Sequence, residues 1–363
     1  MKSKRIASVD ILRGFTIVAM ILVNTPGTWS HVYPPLLHAE WHGYTPTDLI
    51  FPFFLFIVGI SISFAYKNKS NNAKIYKKIL IRSLKIIGLG LFLGLFLPYF
   101  PFFKPFSDLR IPGVLQRIGV VFFIAAILNL NFNWKALLSI TVVILIGYWL
   151  LMGFVPLNGE TPTFDRAPNN WANYLDLKVF GTHIWKTDYD PEGFLSTFPA
   201  IATSIIGILI GKVLNGYKKS KLGILSVIGI GMIALGYIWN VWFPINKALW
   251  SSSFVLVTAG WGTLILGIVH YIIDEKQIKF GTIFKYVGSN AIIIYFMSSF
   301  VSKTFGMIKV NETESVHSWL YHTLYTSVIS SDKLASMLYA LTVVLLYMLL
   351  GYILNKRNIF IKV

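Results

Sequence analysis

Residues 37–66 read LHAEWHGYTPTDLIFPFFLFIVGISISFAY, and this stretch decides the interpretation of the whole chain. Its second part, residues 49–65, carries no charge and is long enough for a helix that crosses a bilayer. Directly in front of that helix stand His38, Trp41 and Asp48. Polar groups are costly to keep next to a membrane, so the combination predicts chemistry or transport at one membrane face.

The composition of the chain supports a membrane protein. Of 363 residues, 55% are hydrophobic and only 13% are charged, and the apolar residues fall in long blocks. The formal net charge of +17 could indicate nucleic-acid binding. The basic residues, however, lie in short loops between apolar blocks, which is typical of a multi-pass membrane protein, and no nucleic-acid partner is expected. The absence of cysteine excludes disulfides and thiolate chemistry.

The apolar blocks predict an all-α polytopic fold with about ten transmembrane helices in a single domain, residues 1–363. The N-terminal MKSKR and the apolar run after it are interpreted as a retained first helix, because no small-residue cleavage site follows. The predicted spans are 9–24, 47–66, 79–99, 111–130, 135–154, 193–214, 221–243, 248–273, 281–301 and 333–355.

The distribution of lysine and arginine predicts the orientation of the chain. Basic residues concentrate in the N-terminus, in the loops 67–78, 212–221 and 276–279, and in the C-terminus. By the positive-inside rule these segments face the cytoplasm, so both termini are expected there. Three longer loops, 25–46, 155–192 and 302–332, then lie on the outer side. The composition favours a bacterial source, and hence a multi-pass protein of the bacterial cytoplasmic (inner) membrane.

His38 is the first candidate catalytic residue. A neutral imidazole in a proline-rich, partly buried loop can accept a proton from an incoming nucleophile. The alternative is an interfacial histidine that hydrogen-bonds a turn. His42 follows four residues later, and such a pair on a helix could bind zinc. Because Gly43 and two prolines do not favour a helix here, no metal site is expected.

Asp48 and Asn24 are candidates with strong structural alternatives. In the sequence TPTD, Thr45 suits a helix N-cap, and Asp48 three residues later completes a capping box. An additional role of Asp48 in orienting His38 or in binding substrate remains open. Asn24 ends the first predicted span, where its amide could stabilise an oxyanion or simply cap the helix.

Three charged residues are expected near the outer ends of predicted spans. Arg110 and Arg117 lie seven residues apart and therefore on one helical face. An arginine inside a span needs an anionic partner, which could be a protein carboxylate or the phosphate of a cofactor. Glu192 belongs to the sequence DPEG at the start of the sixth predicted span, where it could bind substrate or cap the helix. Asn246 and Asn290 could bind substrate or only join helices.

Taken together, these motifs resemble the heparan-α-glucosaminide N-acetyltransferase family of transmembrane acetyltransferases. They occur in order over residues 9–300. They are LRG at 12–14, ILVN at 21–24, HAEWHGYT at 38–45, DL at 48–49, FP at 51–52, FIVG at 56–59, RIPGVLQRI at 110–118, DPEG at 190–193, FPINKALWSSSFVL at 243–256 and GSNAI at 288–292.

The resemblance implies a function and a site. Such proteins use acetyl-CoA from the cytoplasm to acetylate an amino sugar or related glycan across the membrane. It implies that His38 is the active-site residue, with Asn24 beside it. The RIPGVLQRI motif, with Arg110, Gln116 and Arg117, becomes a candidate contact for the CoA phosphates or for an acidic acceptor, and Trp41 joins the binding residues. Glu40 and His42 depart from the family pattern, which leaves the acceptor open.

The sequence therefore predicts an acetyl-CoA-dependent membrane acyltransferase in which His38 is either a general base or a nucleophile that carries the acetyl group. Its expected partners are the lipid bilayer and the acceptor, and a homodimer stays open. The alternative from another class is a sugar or amino-sugar transporter. Transporters often contain inverted repeats, and no repeat is evident in this chain.

Overall fold

The computed structural model of the protein describes residues 6–67, 69, 71–216 and 221–361. Within these residues the chain is helical, and its β structure is limited to isolated bridges. The predicted all-α class is therefore confirmed. The α-helices of the described chain are α1 Ala7–Asn24, α2 Pro46–Ala65, α3 Ala73–Leu95, α4 Val114–Asn131, α5 Trp134–Phe154, α6 Trp171–Phe180, α7 Thr197–Gly216, α8 Lys221–Trp239, α9 Ser252–His270, α10 Thr282–Ser289, α11 Ala291–Met307, α12 Val316–Tyr321 and α13 Asp332–Lys356.

Eight helices in the described part of the chain are long and apolar enough to cross a membrane: α1, α2, α4, α5, α7, α8, α9 with its π-helical extension, and α13. The two other predicted spans do not qualify. The span 79–99 corresponds to α3, whose first thirteen residues include five basic ones. The span 281–301 is divided at Asn290 into α10 and the 17-residue α11. The number ten and the cytoplasmic position of the termini stay predictions. Six basic residues on which that orientation depends lie outside the described residues: Lys2, Lys4, Arg5, Lys218, Lys219 and Lys362.

Helices α1, α2, α7 and α9 form the centre of the bundle, because more than half of each apolar segment is buried. Helices α5, α8 and α13 lie at the periphery, where less than a third is buried. Small residues permit close approach of α2 and α7: a side chain at Gly59 would collide with the carbonyl oxygen of Ser204, and one at Gly207 with that of Phe56. This close packing of backbones is typical of helices in membranes.

The central helix α2 defines two ends of the bundle. At its N-terminus, called the His38 end, the loop before α2 meets the segment between α8 and α9, since Gly43 N–H donates to Ile245 C=O over 2.7 Å. The long loop before α7 joins them, because Trp41 Nε1 donates to the carbonyl oxygen of Phe164 at 2.9 Å. The opposite end, where α2 finishes beside Tyr66, is called the Tyr66 end.

Candidate active site

Asp48 anchors the site at the third residue of α2. The chain forms a helix here because Thr45 is the N-cap, Pro46 occupies the first helical position, and Asp48 completes the capping box. One carboxylate oxygen accepts the backbone N–H groups of Thr45 at 2.9 Å and Ala39 at 3.0 Å. The side chain is almost fully buried. The capping role expected from the sequence is thus present, and it leaves the second oxygen for another partner.

That partner is His38. Its Nδ1 lies 2.6 Å from the second oxygen of Asp48. A carboxylate only accepts hydrogen bonds, so Nδ1 carries the hydrogen and Nε2 keeps its lone pair. The His38 side chain is 49% exposed, whereas Asp48 beneath it is 1% exposed. The pair therefore presents a fixed imidazole whose Nε2 is available as a base or a nucleophile.

Lys247 completes this cluster and was missed in the sequence. Its Nζ lies 3.2 Å from both ring nitrogens of His38 and 3.8 Å from Asp48. Burial lowers the pKa of Lys247, against the effect of the Glu192 and Asp48 carboxylates. One signal could have revealed it: Lys247 is the single charged residue of segment 240–251, which the positive-inside rule places on the outer side.

His42 belongs to a second, separate pair. Its Nε2 lies 2.8 Å from Asp165 of the long outer loop, and Asn246 Nδ2 approaches its Nδ1 at 3.4 Å. Asn246 is fully buried and also accepts the N–H of Leu249. Because His38 and His42 pair with different carboxylates in a non-helical segment, they do not form the zinc-type pair considered for a helix.

Arg110, Asp190 and Glu192 form an ion-pair network beside this cluster. Arg110 makes a two-pronged contact with Asp190, at 2.8 and 2.6 Å, and also reaches Glu192 at 2.5 Å. Burial disfavours the charge of Arg110, but hydrogen bonding to Asp190 and the charges of both carboxylates raise its pKa. For Glu192, burial opposes ionisation, yet Arg110 lowers its pKa. Arg110 thus has the carboxylate partners that were the structural alternative.

Arg117 lies deeper, at the first turns of α4. Its guanidinium is buried, donates to the carbonyl oxygen of Gly193 and the hydroxyl of Ser196, and lies 5.1 Å from the ring centre of Trp250. Its Nε and Nη1 have no hydrogen-bond partner among the described residues. Gln116 points elsewhere, toward Gly90 of α3. Gln116 and Arg117 of the RIPGVLQRI motif therefore contact different parts of the protein.

Asp176 supports the turn that carries Asp190 and Glu192. Its carboxylate accepts the N–H groups of Asp190 at 3.2 Å and Phe194 at 2.8 Å, and it occupies the space that a side chain at Gly193 would need. Burial raises the pKa of Asp176 to about 7, although those two hydrogen bonds oppose the shift. No local sequence motif marks Asp176, so its place in the site is not predictable from the sequence.

Two expected site residues have no described contact with the His38 cluster. Asn24 is exposed as the last residue of α1, and none of the described contacts joins it to His38. Asn290 binds the C-terminal segment through Ile359 C=O and Ile361 N–H. Its neighbour Gly288 packs against Asp10 near the start of α1. Asn290 therefore lies toward the Tyr66 end of the bundle.

The Tyr66 end contains a basic cavity of about 550 Å³. It lies where α2, α4 and α7 finish, and Lys67 contacts Asn215 across it at 3.3 Å. Three lysines and several neutral polar groups line it, which suits an anionic ligand. The lining residues are Ser63, Tyr66, Lys67, Lys69, Asn129, Lys212, Asn215 and Gly216.

The fold and the site together define a class: a polytopic α-helical membrane protein with a histidine–carboxylate pair where a central helix begins. Comparison with known proteins gives the family. The model of the family "Heparan-alpha-glucosaminide N-acetyltransferase, catalytic" matches residues 5–236, and the chain belongs to this family. The resemblance inferred from the motifs is confirmed.

Two mammalian relatives extend the match. The heparan-alpha-glucosaminide N-acetyltransferase of Homo sapiens is 29% identical over 423 residues, covering 99% of this chain and 60% of that protein. The mouse protein of the same name is 30% identical over 354 residues, covering 81% of this chain and 53% of that protein. The chain thus spans little more than half the length of these relatives. The transporter interpretation receives no support from these comparisons.

Proposed function

We propose that the protein is a membrane acyltransferase that moves an acetyl group from acetyl-CoA to the amine of an amino sugar or related glycan. The observation that carries this proposal is the His38–Asp48 pair. The buried Asp48 carboxylate lies 2.6 Å from Nδ1, so the hydrogen of the neutral ring is held there and Nε2 keeps the lone pair of a half-exposed imidazole. Family membership and the names of the two mammalian relatives support the same chemistry.

Two routes fit this geometry. In the first, Nε2 of His38 removes a proton from the acceptor amine while that amine attacks the thioester. In the second, Nε2 attacks the thioester itself, and the acetyl group passes from the imidazole to the amine. Asp48 stabilises the cationic ring in both routes and keeps Nε2 in the reactive tautomer. The role of Asn24 that the family resemblance implies stays a prediction, because none of the described contacts joins this residue to His38.

The acceptor is proposed to bind at the His38 end. Trp41 is proposed to offer an aromatic face to an amino sugar, and Glu192, whose charge acts on Lys247, a carboxylate. Three further residues are proposed to act mainly by holding the surrounding loops around the ligand, because each already has protein partners. They are Asn246, Arg110 and Arg117. Gln116 and Asn290 complete the proposed binding residues, at positions remote from His38.

The donor is proposed to enter from the Tyr66 end, which the lysine distribution assigns to the cytoplasm of a bacterial cell. The phosphates of CoA would bind the lysines of the cavity there. Its flexible arm would then extend along α2 toward His38. Ser63 and Asp48 are separated by about 22 Å along this helix at the α-helical rise, a separation that requires an extended donor.

The test uses the purified protein in detergent with radiolabelled acetyl-CoA, with and without glucosamine. Label in the sugar supports the proposal, and His38→Ala should abolish it. The matched control is His31→Ala, because His31 lies in the same loop with a similar exposure of 46% but contacts Asp332 instead. Label retained on the protein without acceptor selects the nucleophilic route. Normal turnover by folded His38→Ala would refute the assignment.

A further inference from the structure

Lys247 is held rigidly in the segment between α8 and α9. Its carbonyl oxygen accepts Trp250 N–H at 3.0 Å, and Ser251 N–H closes the turn onto Asn246 C=O at the same distance. Trp250 is fully buried and adopts a positive φ of 53°, a conformation that a non-glycine residue keeps only when its surroundings enforce it. The backbone from which the Lys247 side chain extends is therefore fixed.

The ammonium of Lys247 is directed at the reactive part of His38. Its Nζ is 3.2 Å from Nε2, and its side chain is only 17% exposed. Nδ1 already donates its hydrogen to Asp48 and therefore accepts none from Lys247. The distance of 3.2 Å from Nζ to Nδ1 shows that the ammonium lies beside the ring. An ammonium has three N–H donors. Asp48 at 3.8 Å attracts the charge of Lys247 without a short hydrogen bond, which leaves donors for a ligand next to Nε2.

We propose that Lys247 is a catalytic residue that donates a hydrogen bond to the oxyanion formed when the thioester is attacked; this inference rests on the proposed acetyl transfer. As the new bond to the carbonyl carbon forms, the C=O electron pair moves onto oxygen beside Nε2. The oxyanion then collapses and the C–S bond breaks. CoA leaves as a thiolate and receives the proton lost by the acceptor amine. A fixed cation aimed at the developing charge is the usual device for such a step.

Lys247 is better placed for this role than Asn24. Asn24 is exposed at the end of α1, whereas Lys247 touches the nitrogen at which the reaction occurs. The competing explanation is structural: Lys247 could simply balance the charges of Asp48 and Glu192. The two explanations differ in what is lost on substitution. A structural cation affects folding and both Michaelis constants, whereas an oxyanion donor affects kcat.

The experiment compares Lys247→Met and Lys247→Arg with wild type, using initial rates at varied acetyl-CoA and glucosamine concentrations. Lys247→Met should lower kcat by about 10²- to 10³-fold with little change in either KM. Lys247→Arg, which keeps the charge, should recover part of the loss. The matched control is Lys303→Met, because Lys303 is a half-buried lysine that binds the carbonyl oxygens of Leu93 and Gly94 at the end of α3. It should retain wild-type kcat.

A second measurement needs no variant and covers the case in which Lys247→Met does not fold. The wild-type protein is treated with a trace of an amine-reactive reagent, and labelled peptides are quantified by mass spectrometry. The acetonyl thioether analogue of acetyl-CoA, whose ketone replaces the thioester carbonyl, should protect Lys247 and leave exposed Lys135 unchanged. If the wild-type protein is active, either of two results would overturn the inference. One is labelling of Lys247 that the analogue does not change, and the other is a near-normal kcat in Lys247→Met. Absence of wild-type turnover would instead overturn the proposed function and this inference with it.

Discussion

The two ends of α2 differ in how their polar groups are partnered. At the N-terminus, Asp48 is buried and its oxygens bind His38, Ala39 and Thr45 at 2.6–3.0 Å. At the C-terminus, lysines line a cavity of about 550 Å³, and the contact of Lys67 with Asn215 is long, at 3.3 Å. Enclosed groups with fixed partners suit bond-making chemistry, whereas loosely held cations suit the binding of a large anion. One helix thus separates a reactive end from a proposed anchoring end.

The largest effect is expected at the His38 end. Asp48→Asn would present an amide N–H to Nδ1 and so favour the tautomer in which Nε2 carries the hydrogen. We expect kcat to fall by about 10³- to 10⁴-fold, as for other carboxylates that orient a catalytic histidine. The measurement is acetyl transfer to glucosamine under saturating substrates. Asp188→Asn is the control, because Asp188 pairs with Arg166 at the exposed surface. Equal kcat values for Asp48→Asn and Asp188→Asn would contradict the assignment of the reactive site to the His38 end of α2.

A smaller effect is expected from loosening the turn beside the cluster. Gly193→Ala would force its methyl group against the buried Asp176 carboxylate and disturb the turn that carries Glu192. Overpacking of this kind costs about 1–3 kcal/mol. The variant should therefore unfold at a lower temperature in detergent. Gly147→Ala serves as the control, since its added methyl group meets open space. An unchanged melting temperature for Gly193→Ala would show that the turn is not tightly constrained.

The mildest effect is expected at the Tyr66 end. The double variant Lys67→Gln, Lys212→Gln removes two charges from the cavity and should raise KM for acetyl-CoA about tenfold, roughly 1.4 kcal/mol, with kcat nearly unchanged. Lys135→Gln is the control, because Lys135 stands over the ring of Trp134 at the start of α5 and does not line the cavity. A fall in kcat without a change in KM would place chemistry, rather than anchoring, at this end.

Local sequence was enough to predict the helix start that carries Asp48 and the position of His38 shortly before it. The order TPTD fixes a helix start, because cap, proline and carboxylate act over three residues. His38 stands only ten residues before Asp48, so their meeting was a plausible second role for the carboxylate. Lys247 follows His38 by 209 positions, and no spacing rule joins residues so distant in sequence. Its contact arises only because the segment 240–251 pairs with the loop at Gly43.

The predicted spans likewise show which features local sequence predicts and which depend on tertiary structure. Eight of them coincide with helices that qualify by length and apolar composition. Hydropathy alone does not predict that five basic residues among the first thirteen of α3 disqualify it as a span. Nor does it predict the break at Asn290, whose side-chain amide binds the C-terminal segment. Arg110 illustrates the limit in the site itself. Its charge was evident, but the choice between a phosphate and a protein carboxylate depended on Asp190 and Glu192, some 80 residues later.

The sequence by itself determined the helical membrane class, the family, and the reactive candidate His38, because apolar periodicity, capping and motif order are encoded over short distances. The tertiary structure decided which groups meet: Lys247 beside His38, Arg110 with Asp190, and Asp176 beneath Gly193. Electrostatic and hydrogen-bond partners act within a few ångströms in space. Helices that cross the bundle bring such partners together from distant parts of the chain, and only their packing specifies the pairing.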